Sequence, residues 1–250
     1  MNQYLKNLNK IEFVLTSVCS GRCKHCSQGE RNGAAEYIDP ELAADAVRKV
    51  VAQYDIKTVM TFGGEPLLHA DALEQIMSVA SELGVLRRQL ITNGYFSNDK
   101  KEISNMAHRL SLCGINDLLL SVDAFHQETI PLDTVRIFAQ EVKKQEIPIR
   151  LQPAWLKGVD DENIYNRKTR EILGSFDDLN IPISDGNIIF PEGNALKYLS
   201  QYFSDDIPKN PYIEDPCDIH CLSFSSNGDV LDGNIYKNDV IEILNNYRPN

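Results

Sequence analysis

The chain has 250 residues, 42% hydrophobic and 24% charged, proportions that suit one large α/β core with room for a small appendage. A net charge of −11 argues against a nucleic-acid partner, because phosphate binding needs a basic face. The opening "MNQYLKNLNK" has no secretory apolar core and no run reaches the roughly 18 apolar residues of a membrane span, so the expectation is a cytoplasmic protein without a membrane partner.

In chain order, strand-like apolar runs fall at 11–17, 58–64, 88–94, 117–124, 147–152 and 186–191, alternating with helix-period segments. The first helix has Asp39 as N-cap and Pro40 at its first position, with a stripe through Leu42, Ala43, Ala46, Val47, Val50 and Val51. The second, 71–84, opens with Asp71 and Glu74 at capping-box spacing and stops at Gly84. The third, 100–114, carries Ile103, Met106, Ala107, Leu110 and Cys113 on one stripe, which makes Cys113 a core thiol, and stops at Gly114. Two more helices are expected at 131–145 and 163–176. Six strands with intervening helices predict an α/β fold, a partial (β/α)6 barrel over residues 1–205 whose strand carboxyl ends share one rim. Residues 209–216 read as a linker into a C-terminal hairpin–helix extension, 206–250. There Asn227–Gly228 predicts a hairpin with 222–225 and 229–231 as arms, and a last helix spans 239–247.

Three thiols, Cys19, Cys23 and Cys26, follow the first strand at C-x3-C-x2-C spacing. Three cannot pair off evenly as disulfides, and in a reducing compartment such a cluster reads as metal ligands. They suit three corners of a [4Fe–4S] cube or, with His25 or a distant histidine, a zinc site. Gly63, Gly64, Glu65 and Pro66 end the second strand. The glycines let backbone approach a ligand and expose amide groups, while Glu65 offers a carboxylate to an ammonium. Arg150 alternates with apolar neighbours on the fifth strand and either meets a ligand carboxylate or pairs with an acid in the lining. His126 reads as a loop histidine making a structural hydrogen bond.

Strand, three-cysteine loop, helix, strand and "GGEP" resemble the radical S-adenosylmethionine (radical SAM) enzymes, and the similarity covers residues 11–195. "TNG" (92–94) and "SVDAFH" (121–126) resemble later rim segments of that family. "PEGNA" (191–195) resembles a P-x-G-R-A turn, with Asn194 where arginine is usual, and His25 stands where an aromatic residue is usual. The resemblance implies a [4Fe–4S] cluster on Cys19, Cys23 and Cys26, whose fourth iron chelates SAM. It implies that the backbone of Gly63 to Pro66 and the Glu65 side chain hold the methionyl ammonium. It places Ser121 and Asp123 near the ribose, and Asn93 and Arg150 are expected among the other cofactor-binding residues. It further implies a 5′-deoxyadenosyl radical that takes a hydrogen atom from a peptide or small-molecule substrate, fed by an electron donor such as flavodoxin or ferredoxin. "CDIHCLSFSSNGDV" (217–230) resembles the start of a SPASM/twitch-like extension, truncated here because no cysteine returns after the hairpin. An auxiliary cluster on Cys217 and Cys221 would therefore need His220, a carboxylate or a substrate ligand. The competing class is a non-catalytic iron–sulfur or zinc-binding protein on the same barrel, against which the retained Gly63–Pro66, Ser121 and Asp123 argue.

Overall fold

A computed structural model describes residues 2–30, 33–203 and 210–249; the expected boundary at 205/206 and the first linker residue, Lys209, lie outside these. The first strand, β1 (Lys10–Val14), buries Ile11 and Phe13 completely, and helix α1 (Pro40–Val51) follows it. Asp39 caps α1 as expected, its Oδ1 accepting from the Leu42 N–H at 2.9 Å. Then come β2 (Thr58–Phe62), α2 (Ala70–Glu82), β3 (Arg87–Thr92), α3 (Lys100–Leu112), β4 (Asp117–Ser121), α4 (Leu132–Lys144) and β5 (Ile149–Gln152). These strands lie parallel in the order β5-β4-β3-β2-β1, each joined to the next by a helix. Every residue of β4 is buried, as a strand central to such a sheet requires.

The start of α2 differs from the expected capping box. A 3₁₀ turn, Pro66–His69, runs straight into the helix, so Asp71 sits inside its first turn and His69 holds the cap position without a side-chain bond. Glu65 caps the 3₁₀ turn instead, accepting from the Leu67 N–H at 3.0 Å, and Glu74 pairs with Arg109.

Both sheet edges depart from a plain six-strand series. After β5, Pro153 has no N–H to give the ladder, and the strand restarts as β6 (Ala154–Leu156). Helix α5 (Ile164–Gly174) then leads to β7 (Asn187–Ile189), the expected sixth strand, which pairs parallel with β6; a bridge between Leu151 and Ile183 carries the pairing past the break. A short helix, α6 (Asn194–Tyr198), comes next.

At the other edge β8 (Cys221–Phe224) pairs parallel with β1, from Lys10 opposite Cys221 to Phe13 opposite Phe224. The expected hairpin arms therefore do not form a two-stranded ladder with each other. The Asn227–Gly228 turn is real, with Gly228 at φ +85° and its N–H on Ser225 O at 3.0 Å. It leads to β9 (Asp229–Val230), whose ladder partner is β10 (Gly233–Asn234). The parallel pairing wins because it buries Leu222 and Phe224 completely and stacks Phe224 on Phe13 at 4.6 Å between centroids. Helix α7 (Val240–Asn246) packs on α1, with Lys49 bridging to its N-cap, Asp239, at 2.6 Å. Among the described residues no helix is long and apolar enough to cross a membrane.

Candidate cluster and cofactor site

Beyond β1 the chain leaves the sheet pinned by the turn after β2. Gly64 N–H donates to Thr16 O at 2.7 Å and Glu65 N–H to Val18 O at 2.8 Å, so these amides tie down the start of the cysteine loop. Gly63 adopts φ +138°, and a side chain there would press on Leu15 N and Thr16 O at 3.0 Å. Cys23 is buried, and Cys19 and Cys26 are half-buried. Cys26 N–H donates to Cys23 O and Gly29 N–H to Cys26 O, both at 3.2 Å, which winds the loop into consecutive turns. Cys19 Sγ accepts from the Gly21 N–H at 3.3 Å and from Asn93 Nδ2 at 3.6 Å.

The turn before α6 holds the loop from the other side. Asn194 N–H donates to Cys26 O at 2.9 Å and its Nδ2 to Cys23 O at 3.0 Å. Gly193, at φ +52°, lies so close beneath that a Cβ would collide with Ser27 O and come 2.6 Å from Cys26 O. The sequence marked this turn but gave it no role. Asparagine, where arginine is usual, serves as a short clamp on two loop carbonyls.

Glu65 joins the second and third rim turns. It is fully buried; its Oε1 accepts from Thr92 Oγ1 at 2.6 Å and Leu67 N–H at 3.0 Å, and its Oε2 from Asn93 N–H at 2.9 Å. Burial pushes the carboxyl up to about 7, against the opposing pull of those three donors and of His126. Both oxygens thus face protein donors, so the carboxylate expected to meet an ammonium serves first as a brace. Asn93 also accepts on Oδ1 from the Tyr95 N–H at 2.8 Å, so both ends of its amide are oriented.

β4 delivers Ser121, buried at its last position, and then Asp123. The Asp123 carboxylate has four donors: Phe125 N–H and His126 N–H at 2.9 Å on Oδ1, and His126 Nδ1 at 2.8 Å and Ala154 N–H at 3.1 Å on Oδ2. These four donors face the group expected near a ribose. Burial alone would raise Asp123, yet His126 and His25 hold it down to about 2. Burial likewise pulls His126 down, but Asp123 and Glu65 outweigh it and raise that imidazole.

His25 lies edge-on to His126 at 4.8 Å and tilted against Phe125 at 5.0 Å. Burial lowers its pKa to about 4, and its Nδ1 is buried without a hydrogen-bond partner. One ring nitrogen of His25, one of His126 and Cys23 Sγ all lie within 4.8 Å of one another.

Arg150 is not brought to this rim. It donates to both Asp117 oxygens, at 2.7 and 2.9 Å, where β3 and β4 begin, and Gln89 donates to the same carboxylate at 2.7 Å. This is the lining partner, the second of the two that the strand pattern allowed. Cys217 is exposed, and Cys221 sits on the outer edge strand, its thiol raised by burial. Neither joins a group of three potential ligands among the described residues, and His220 pairs with Asp218 at 3.3 Å. Cys113 is a core thiol as expected, pushed up to about 12 by burial.

The family model for the radical SAM superfamily matches residues 13–147. The chain belongs to the radical SAM superfamily. Membership makes it an enzyme of radical mechanism and sets aside the non-catalytic alternative. A curated relative from Saccharolobus islandicus (strain L.S.2.15 / Lassen #1), named probable GTP 3′,8-cyclase, is 27% identical over 218 residues, covering 81% of this chain and 67% of the relative. Streptococcus suis SuiB bound to S-adenosylmethionine superposes with a TM-score of 0.60 at 14% identity over 96% of this chain and 66% of its own. SuiB with its precursor peptide SuiA gives 0.59 at 12% identity, over 95% and 64%. BtrN in complex with AdoMet and 2-DOIA gives 0.55 at 17% identity, over 96% and 82%. The chain thus spans about two thirds of the length of SuiB and of the cyclase relatives.

The superfamily implies a [4Fe–4S] cluster and SAM, and the residues present fit them. Three thiols share one loop, two N–H donors already point at one sulfur, and glycines at 63 and 193 bring backbone close where side chains would collide.

Proposed function

We propose that this radical SAM protein cleaves SAM reductively on a [4Fe–4S] cluster and removes a hydrogen atom from a peptide or small-molecule substrate. The supporting observation is the convergence of the cysteine loop, the Gly63–Pro66 turn and the 92–94 turn, stitched together through Glu65 and Asn93, with the 121–126 segment meeting the loop where His25 packs on Phe125 and His126. Cys19, Cys23 and Cys26 would hold the cluster. Bound, the cluster and SAM supply one-electron cleavage of the sulfonium and abstraction of the substrate hydrogen.

The chain supplies binding, orientation and dryness. The backbone of Gly63 and Gly64 takes the methionyl ammonium, while Glu65 fixes that backbone from beneath. Asn93 orients Cys19, and Ser121 takes a ribose hydroxyl. Asp123 holds His126 and the start of β6 in place. Phe125, completely buried, forms part of the wall that keeps water from the reacting atoms. Arg150 belongs to the opposite end of the sheet and has no part in cofactor binding. The tail thiols hold no second cluster; β8 instead closes the sheet edge beside β1. A low-potential donor such as flavodoxin or ferredoxin supplies the electron in an anaerobic, cytoplasmic setting.

Both substrate classes have support: the relatives are named for a reaction of GTP, and SuiB is seen with a peptide. Anaerobic reconstitution is expected to give about four irons per chain. With SAM and dithionite the loaded protein should yield 5′-deoxyadenosine and methionine, and none from fully loaded protein overturns the proposal. Adding GTP as the first candidate should then accelerate 5′-deoxyadenosine formation if the small-molecule class holds.

A further inference from the structure

We propose that the substrate is a small molecule ending in an oxyanion, phosphate or carboxylate, and that Arg87 and Arg150 hold that end at the floor of the sheet's inner face. This deepens the radical reading above and rests on it only in calling the ligand the substrate.

Register defines the inner face. One set of alternate strand residues, Leu90, Leu118 and Ile149 among them, is buried in the core shared with the helices. The other set points the opposite way. Glu12, Met60, Gln89 and Asp117 form one row, and Ile91, Leu119 and Arg150 belong to the next. Parallel sheets are normally covered on both faces. Here Glu12, Ile91, Arg150 and, in the rim row beside Ser121, Gln152 stay half-exposed, so this face is open to a ligand.

The floor of that face carries the charge. Lys10 is paired with Glu12 at 2.7 Å, whereas Arg87 and Arg150 share one carboxylate. Arg150 Nη2 lies 2.7 Å from Asp117 Oδ1, and Arg87 Nε lies 3.5 Å from Asp117 Oδ2. Two guanidiniums against one acid leave a local positive excess in a chain whose net charge is −11. Guanidinium forks match phosphate and carboxylate oxygens in charge and in geometry.

Unspent donors border a cavity. Arg87, Arg150, Asp117, Asn116 and Leu86 line a space of about 270 Å³. Arg150 Nε and Nη1 and both terminal nitrogens of Arg87 have no protein acceptor among the described residues. The surrounding wall is fixed, with Gln89 donating to Asp117 at 2.7 Å and Asn116 tied to Leu86 O at 2.9 Å. A single anionic end satisfies both forks at once, which a run of neutral backbone carbonyls does not; this favours a small molecule over a peptide. From Asp117 to Ser121 the strand climbs four residues, on the order of 13 Å, so a ligand of nucleotide size anchored here reaches the rim.

Calorimetric titration of cluster-free, full-length protein at low salt tests the site, with pyrophosphate in one arm and malonate in the other. At least one anion is expected to bind once per chain with a Kd on the order of 1 mM, and the tighter arm identifies the oxyanion. Arg150→Gln and Arg87→Gln should each weaken that binding at least about tenfold. Arg150→Lys, which keeps the charge and loses the fork, should fall between parent and Arg150→Gln. Arg87 has a side chain 60% exposed, and its removal leaves the Arg150–Asp117 pair whole, so Arg87→Gln gives the decisive reading even if Arg150→Gln unfolds. The proposal is overturned if neither anion saturates the parent, or if Arg87→Gln, shown to be folded by circular dichroism, binds as the parent does. Formation of 5′-deoxyadenosine by the loaded protein is measured separately, so either reading can fail while the other stands.

Discussion

Burial of Glu65 contributes to the pH response of the rim. Its carboxyl, lifted from 4.5 to about 7 by burial, keeps a proton in the folded state where the unfolded chain has lost it. Through that window the folded state binds more protons, so stability contributed by this group falls as pH rises, by on the order of 3 kcal/mol in all. Urea unfolding of cluster-free protein should show a shallower fall between those pH values in Glu65→Gln than in the parent; equal slopes would remove Glu65 as the cause. Beneath the cysteine loop, Gly193→Ala forces a Cβ against two carbonyl oxygens at a positive φ and should cost about 1–3 kcal/mol. Asn194→Ala leaves Cys23 O without its side-chain donor, for about 1–3 kcal/mol. Both variants should lose iron from reconstituted protein faster than the parent, and unchanged loss rates would separate the clamp from the loop.

At the scale of elements, local signals were legible where the chain's own neighbours decide. Asp39 and Pro40 start α1, Gly114 follows α3, and Asn227–Gly228 makes a turn, because caps and turns are settled within a few residues. The partner of residues 221–224 was not legible. Parallel pairing with β1 joins segments 211 positions apart, such as Lys10 and Cys221, and leaves no trace in spacing. Glu65 and Asp123 were legible as rim residues but not as braces, since burial and donors gathered from other turns decide that role. Phe224→Ala removes the ring stacked on Phe13 and should cost about 3–5 kcal/mol, checked by denaturant unfolding. A loss below about 1 kcal/mol would mean that β8 is peripheral to the sheet.

For the whole molecule, chemistry and reinforcement occupy opposite ends of one sheet. The carboxyl ends gather cysteines, glycines and histidines, while the amino ends carry the Arg150–Asp117–Gln89 network. Substitutions in that network should change stability and leave iron content intact. Cys217→Ser with Cys221→Ser should also retain about four irons per chain after reconstitution. A reproducible drop would return the tail thiols to the cluster chemistry.

The edge strand β8 also sets an order of events during synthesis. β1, which leads directly into the cysteine loop, is made 211 residues before its outer neighbour, which is complete only when residue 224 has emerged. Until then β1 has one flank open, with Phe13 lacking its stacking partner and the Asn9 and Lys10 amides lacking their acceptor, His220 O. The nascent loop therefore hangs from a half-paired strand, and its framework is complete only once β8 has been made.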